Sequence, residues 1–196
     1  GGDLGGVDPQ ALRLYFALRF IPAPWTIWRE ARKLPPGHMA VLDASGFRVS
    51  RWYKLAEHLA PPPADPAEAV AGLRARFDAA VKARLVSDVP VGAFLSGGVD
   101  SSIVAASLAV QGQSPRTFTV GFAGASDYYE ERPAARLVAD HLGTDHTEIE
   151  VTPADALASL DAVFAGCDEP FADSSALPTY LLSRETRRHV TVALSG

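Results

Sequence analysis

The sequence contains a single cysteine, Cys167, so it cannot form an internal disulfide framework, and its cysteine usage gives no sign of an oxidising compartment. It has no run of about 18 apolar residues, which argues against a membrane-spanning helix. No basic segment followed by an apolar segment opens the chain, so no secretory signal is visible. Together these absences favour a cytoplasmic protein.

The sequence also has fewer basic than acidic residues. The chain has 18 Lys and Arg against 23 Asp and Glu, a formal net charge of −5. Proteins that bind duplex nucleic acid usually present a basic face, so the charge argues against a nucleic-acid partner. It does not argue against ATP, because backbone amides, a few basic side chains and magnesium can hold a nucleotide locally. The 196 residues are 47% apolar, enough to bury the core of one or two domains.

Three prolines at 61–63 mark the clearest candidate linker. Before them, the pattern predicts a helix from Pro9 with Asp8 as its N-cap, and a hairpin of residues 39–43 and 47–52. After them, Asp65 followed by Pro66 predicts the start of a helix. An apolar stripe with spacings of three or four residues supports this helix; its members are Val70, Leu73, Phe77, Val81 and Leu85.

From residue 91 onward, short apolar runs alternate with helical patterns. The predicted strands are 91–95, 117–122, 147–151 and 190–194, and the predicted helices are 102–110, 133–142, 154–165 and 177–188. Such alternation predicts parallel β-α-β units, and therefore an α/β fold with a parallel sheet sandwiched by helices. Ligands of such sheets bind at the carboxyl ends of the strands.

One motif stands at such a strand end, directly before a predicted helix: Ser96-Gly97-Gly98-Val99-Asp100-Ser101. The two glycines allow a tight turn and a close approach to a ligand, and the amides with the helix dipole form an anion site. The serine hydroxyls can donate further hydrogen bonds, while Asp100 can cap the helix or hold a metal ion. The motif lacks the lysine of a Walker A loop and the spacing of the dinucleotide fingerprint. The alternative is a plain tight turn, but Asp-Ser-Ser at the helix start favours phosphate binding.

The loop resembles the S-G-G-x-D-S pyrophosphate loop of the ATP pyrophosphatases, and its surroundings resemble those of the glutamine-hydrolysing asparagine synthetases. The segments that carry this resemblance are residues 89–95, 117–122, 141–146 and 168–175. Residues 20–27 and 33–38 are similar to the end of the glutaminase domain of that family. The resemblance implies an adenine-nucleotide α-hydrolase-like fold after a remnant of a glutaminase domain. It assigns residues 1–60 to that remnant and residues 61–196 to the N-terminal part of a synthetase domain.

Carried over to this chain, the resemblance implies one set of residues that hold the pyrophosphate: Ser96, Gly97, Gly98, Asp100 and Ser101. Among these, Asp100 is the candidate for contact with magnesium. Leu95 and Val120 would meet the adenosine largely through backbone groups. Ser195 and Gly196 match the start of a second loop that also touches the nucleotide.

The implied reaction is ATP-dependent amidation of aspartate: the side-chain carboxylate is adenylated, pyrophosphate leaves, and ammonia from glutamine displaces AMP. ATP and Mg²⁺ are the implied cofactors, and the resemblance is compatible with a homodimer. A related amide-forming enzyme, such as a β-lactam synthetase or a cluster amidotransferase, would share the loop. A nucleotide-binding fragment without turnover, or a scaffold without a working site, are further alternatives.

The two ends of the chain depart from the family pattern. The family glutaminase uses an N-terminal cysteine as nucleophile, whereas this chain begins Gly1-Gly2 and has only Cys167, which we interpret as an incidental thiol. The chain ends at Gly196, before the acidic residues of the second loop. We therefore expect an internal fragment that is incomplete for catalysis.

Several acidic residues outside the loop allow two interpretations. Glu130 and Glu131 stand where the family has an Asp-Glu pair, but acids also suit the first turn of a helix. Asp168, Glu169 and Asp173 could bind a metal ion, although their surroundings favour a loop that caps the next helix.

His146 lies near a predicted strand start and could touch substrate. A lone histidine in a turn is more often structural, and we expect that role here.

Overall fold

The computed structural model describes residues 4–112, 114–124 and 130–196. The chain divides into two compact units. The first contains the residues up to Pro62 together with Phe164–Ser174, and the second contains Pro63–Val163 and Ser175–Gly196. Within the described residues, none of the helices has the length and apolar character needed to cross a membrane.

The first unit begins with helix α1 (Pro9–Leu18), as the sequence predicts. Asp8 caps it by accepting the Gln10 amide at 2.8 Å, and Pro9 occupies the first helical position, where no amide bond is lost. The predicted hairpin is also confirmed. Its strands β1 (His38–Asp43) and β2 (Gly46–Arg51) pair antiparallel, and a short 3₁₀ turn (Leu55–Glu57) follows them.

The core of the first unit forms around α1, where Ala11, Ile21 and Ile27 are buried. Residues Phe164–Ser174 join this unit although they come about a hundred positions later in the chain. Glu169 in that segment pairs with Lys33 and accepts the Ile27 amide at 3.3 Å. The predicted boundary between residues 60 and 61 places Phe164–Ser174 in the second domain, whereas the structure places this segment in the first unit.

The second unit is the predicted α/β fold with a four-stranded parallel sheet. Its elements in chain order are α2 (Pro66–Arg84), β3 (Val91–Phe94), α3 (Val99–Val110), β4 (Arg116–Phe122), α4 (Arg132–Leu142), β5 (Asp145–Val151), α5 (Pro153–Ala165), α6 (Ala176–Thr186) and β6 (Val192–Leu194). The strand order across the sheet is β5-β4-β3-β6. The strands that follow β3 are added on one side of it (β4 and β5), and β6 is then added on its other side. The order of the strands therefore reverses beside β3, and sheets of this kind bind ligands at such a topological switch point.

Helices cover both faces of this sheet. On one face, Ala93 of β3 packs with Val104 and Leu108 of α3 and Val81 of α2. On the other face, the Phe118 ring lies 5.5 Å from the His189 ring, beyond the end of α6. Helix α3 begins three residues before the predicted start, because the turn at Gly98 already delivers the chain into helical geometry.

The apolar stripe of α2 packs over only part of its length. Val81 is buried and Phe77 and Leu85 are partly buried, as expected, but Val70 and Leu73 are 67% and 68% exposed. The periodicity therefore identified the helix correctly and overestimated how much of it is covered in this unit.

His146 lies at the start of β5 and has a structural environment. Its Nδ1 is 2.8 Å from the Thr117 hydroxyl, which also lies 2.8 Å from the Thr144 hydroxyl, while its Nε2 is enclosed without a hydrogen-bond partner among the residues that the structure describes. Burial lowers the pKa of His146 below its usual 6.5, and Arg136 adds to this, against the opposite influence of Glu148 and Asp140. The imidazole is therefore held neutral at the amino ends of the strands.

This environment predicts that acid destabilises the second unit through His146. Because the folded-state pKa lies below the unfolded value of 6.5, the unfolded chain binds the proton first, so stability is complete above that pH and is lost as the pH falls. We expect a smaller loss of melting temperature in His146→Gln than in the unchanged protein between about pH 7.5 and about pH 5.5. Differential scanning calorimetry measures both slopes. Identical slopes would contradict this role.

The half-buried ion pair of the first unit should matter more than its exposed counterpart. Lys33→Met removes the partner of Glu169 and a bond to the Ile21 carbonyl, and we expect a loss of about 1–3 kcal/mol in unfolding free energy. Lys54→Met is the matched control, because Lys54 and Glu57 are 49% and 65% exposed and such pairs contribute at most about 1 kcal/mol. Chemical denaturation compares the two variants, and equal losses would overturn the assignment.

Candidate functional site

The loop that follows β3 folds tightly because one of its glycines has a left-handed backbone. Gly97 has a φ of +78°, which is costly for any residue that carries a Cβ. A Cβ at this position would also lie 2.5 Å from the carbonyl carbon of Ala134. The loop therefore lies directly against the first turn of α4, and both the backbone angle and the available space require glycine.

The serines of the motif hold the loop in shape. The Ser101 hydroxyl accepts the Ser96 amide at 3.2 Å, lies 3.0 Å from the Ser96 hydroxyl, and donates to the Gly98 carbonyl at 3.2 Å. Ser102 donates to the same carbonyl at 2.6 Å. Because Ser101 is only 9% exposed and already makes these contacts, it positions the backbone of the loop.

Helix α3 starts directly behind the loop and has no side-chain cap. The first amide of α3 that has an intrahelical acceptor is that of Ser102, which donates to the Gly98 carbonyl at 3.0 Å. The helix amides before it have no such acceptor. These amides and the helix dipole create a site for an anion. Asp100 lies exposed in this first turn, and no hydrogen bond or ion pair within the described ranges uses its carboxylate.

The predicted second loop meets the first. Strand β6 pairs with β3 in the register Ala93 to Leu194, which brings the following residues, Ser195 and Gly196, beside the loop after β3. A Cβ on Gly196 would lie 2.5 Å from the Ser101 nitrogen and 2.6 Å from the Asp100 carbonyl carbon. The fold thus joins two segments that are separated by almost a hundred residues in the sequence.

Leu95 and Val120 can both offer backbone groups to a ligand at this edge. The Leu95 side chain is 1% exposed, and the Leu95 amide donates to the Phe118 carbonyl at 2.8 Å. The group that Leu95 can offer to a ligand is therefore its carbonyl. Val120 lies two residues after Phe118 and so directs its amide and carbonyl to the same side, toward β3. Strand pairing on that side ends at Phe118, so these groups open into the space above the β3 end.

The acidic residues at 168–173 lie in a segment without helix or strand in the first unit, which confirms a loop, while its capping of the next helix stays a prediction. Glu169 is engaged by Lys33 and the Ile27 amide. Over the described parts of the chain, no group of three or more His, Cys, Asp or Glu side chains could hold a metal ion. Cys167 is exposed in this segment.

The sequence interpretation missed a charged cluster at the carboxyl end of β4. Arg132 donates from Nε to Glu130 at 2.8 Å and from Nη1 to Glu150 at 3.1 Å, across the backbone of Gly121. The bonds from Arg132 lower the pKa of Glu130 to about 2, and Glu130 in turn raises the pKa of Arg132. A glycine inside a strand was the available signal, because it often marks close approach of another group.

Comparison with known proteins agrees with this arrangement. The family model for asparagine synthase matches residues 72–196. A protein of Methanocaldococcus jannaschii is 36% identical over 193 residues, which cover 97% of this chain and 37% of that protein. Asparagine synthetase (glutamine-hydrolyzing) 1 of Bacillus subtilis is 32% identical over 190 residues, covering 97% and 30%. Asparagine synthetase (glutamine-hydrolyzing) 2 of Arabidopsis thaliana is 35% identical over 175 residues, covering 83% and 29%.

The chain spans about a third of the length of these curated relatives. The family match extends over more than half of the chain and contains both loops of the site. The chain therefore belongs to the asparagine synthase family.

Proposed function

We propose that this protein forms asparagine by ATP-dependent amidation of aspartate. The observation that carries the proposal is the meeting of two loops at the carboxyl ends of β3 and β6, beside the first amides of α3, which have no intrahelical acceptor. Two of the relatives reported above are named asparagine synthetases, which supports this acceptor over another carboxylate.

In the proposed complex, the pyrophosphate end of ATP binds the amides of Gly97 and of the first turn of α3. The hydroxyls of Ser96 and Ser101 keep those amides oriented, because they already bridge the two ends of the turn. The adenosine end lies above β3 and β4 and meets the Leu95 carbonyl and the backbone of Val120. Ser195 and Gly196 close the opposite side of the nucleotide.

Magnesium fits this site through Asp100. In nucleotide sites Mg²⁺ usually binds one or two carboxylates and takes its remaining ligands from phosphates and water. Asp100 supplies a carboxylate at the phosphate end of the site, unengaged by other described residues. When bound, the ion would neutralise charge that develops on the leaving pyrophosphate.

The reaction needs two displacements. An oxygen of the aspartate side-chain carboxylate attacks the α-phosphorus of ATP, and the bond to the bridging oxygen breaks as pyrophosphate leaves with the electron pair. Ammonia then attacks the acyl carbon, AMP leaves, and a proton is released from nitrogen. The amides of the loop contribute by fixed placement, since they stabilise the leaving charge without reorganising.

We also propose that residues 1–60 are the end of a glutaminase domain that supplies the ammonia. The resemblance of residues 20–27 and 33–38 to that domain supports this. So does the hairpin of the first unit, because Leu42 and Phe47 are 78% and 67% exposed, as expected for strands of a larger sheet. A cytoplasmic location and a homodimer stay predictions from the sequence.

The exchange of labelled pyrophosphate into ATP by the full-length gene product tests the reaction. We expect exchange that depends on aspartate, because only the acceptor carboxylate allows pyrophosphate to leave. Exchange that requires another carboxylate would instead indicate a related amide-forming enzyme. ATP binding without exchange for any acceptor would indicate a nucleotide-binding protein without turnover.

Gly97→Ala tests the loop itself. We expect the dissociation constant for ATP to rise about 10- to 100-fold, because strain and displacement at such a position cost about 1–3 kcal/mol. Gly112→Ala is the matched control, since Gly112 has a similar φ of +75° but nothing within 4 Å of the added Cβ. Isothermal titration calorimetry compares the two variants. An equal loss of affinity in both would show that the effect is not specific to the loop.

A further inference from the structure

The cluster of Arg132, Glu130 and Glu150 leaves one part of the arginine available. Three of the five N–H groups of the guanidinium are engaged, since Nε and Nη2 donate to Glu130 and Nη1 donates to Glu150. The two flat faces of the group make none of these bonds. Arg132 keeps 24% of its side chain exposed.

One of those faces lies on Gly121. A Cβ at position 121 would be 2.6 Å from Cδ and 2.7 Å from Cζ of Arg132, and closer still to Nε between them. Because this Cβ position is closest to Nε and also stays close to both carbons bonded to Nε, it lies above Nε, along the perpendicular to the guanidinium plane. An approach along the N–H bond would be farther from both carbons, and Glu130 already occupies that direction. The opposite face of the guanidinium points away from Gly121.

The cluster borders the proposed nucleotide site on two sides. Gly121 directly follows Val120, whose backbone groups open above the end of β3. On the same helix as Arg132, Ala134 lies against Gly97 of the phosphate loop. A base held by Val120 would thus have Arg132 as its neighbour.

The charge of the cluster indicates what that face can bind. Two carboxylates surround one guanidinium, so the cluster is negative overall, and a second phosphate-bearing group would be repelled. A neutral aromatic ring suits it well, because a guanidinium stacks on aromatic faces while its edges keep their hydrogen bonds. No stacking or cation–π contact within residues 4–112, 114–124 and 130–196 already involves Arg132.

We propose that the outer face of the Arg132 guanidinium stacks against the adenine ring of the bound nucleotide. This rests on the proposed ATP-dependent function and adds a contact to the base that the phosphate loop cannot provide. Glu130 and Glu150 act as positioning residues that hold the guanidinium flat on Gly121.

Titration calorimetry of Arg132→Met in the full-length gene product tests this, with ATP, AMP and inorganic pyrophosphate as probes. We expect the dissociation constants for ATP and AMP to rise by a common factor of about 5 to 30, which corresponds to about 1–2 kcal/mol. The constant for pyrophosphate should not change, because that probe has no base. Arg136→Met is the matched control on the same helix, where Arg136 pairs with Glu148 at 2.8 Å, and it should leave all three constants unchanged.

An ATP affinity in Arg132→Met within roughly twofold of the unchanged protein would overturn the proposal. Equal weakening of pyrophosphate would also overturn it, because it would show a role in the phosphate site or in the framework. If Arg132→Met does not fold, Arg132→Lys decides, since it keeps the charge and the stem but lacks the plane; we expect the same loss of ATP and AMP affinity, and full affinity would refute stacking. If ATP binding and pyrophosphate exchange are unchanged in these variants, the stacking proposal is wrong and the proposed function stands. Failure of the unchanged protein to bind ATP removes the proposed function with it.

Discussion

The close contact of the loop after β3 with the first turn of α4 is the constraint on which the rest of the site depends. Gly97 makes it possible, because its left-handed backbone lets the chain turn without a side chain between the loop and Ala134. The turn then delivers Val99 into α3 at once, and the first amides of this helix have no intrahelical acceptor. A bulkier or right-handed residue would lift the loop from α4 and move those amides. The anion site is thus a consequence of backbone packing, and its side chains serve that packing.

This arrangement explains how a chain of net charge −5 could contain the proposed site for a polyphosphate. The attraction comes from oriented amides and a helix dipole, which act at short range and do not require a basic surface. The charged side chains near the site are arranged for other purposes. Arg132 donates three hydrogen bonds to two carboxylates, and Asp100 adds negative charge that suits a metal ion better than a phosphate. Discrimination between a bare anion and a nucleotide must therefore come from the strand ends and from what lies beside the base.

The sequence predicted those features that depend on neighbouring residues. The caps at Asp8 and Asp65 and the alternation of strands with helices are local patterns, and the structure has them where they were expected. The S-G-G-x-D-S motif likewise predicted a tight turn before a helix. The exposure of Val70 and Leu73 could not be predicted, because periodicity shows which face of a helix is apolar but not how far its cover extends. The site residues of the second loop could be predicted only from the family resemblance, because no local sequence pattern indicates that Gly196 contacts Ser101.

Long-range contacts also decide how a motif is used. The segment at 168–175 carries part of the family resemblance, yet Glu169 within it is held by Lys33 and the Ile27 amide in the first unit. Its carboxylate is therefore committed to packing, and a reading of composition alone could equally have assigned it to a metal. Arg132 shows the reverse case, since a residue that looks like an ordinary helix-terminal charge lies flat on a strand glycine beside the site. Lys33 lies 136 positions from Glu169, and Gly121 lies on a different element from Arg132, so in both cases the role of the charge is set by a tertiary contact. A motif therefore predicts where chemistry can occur, and the contacts of each side chain determine which residues remain available to perform it.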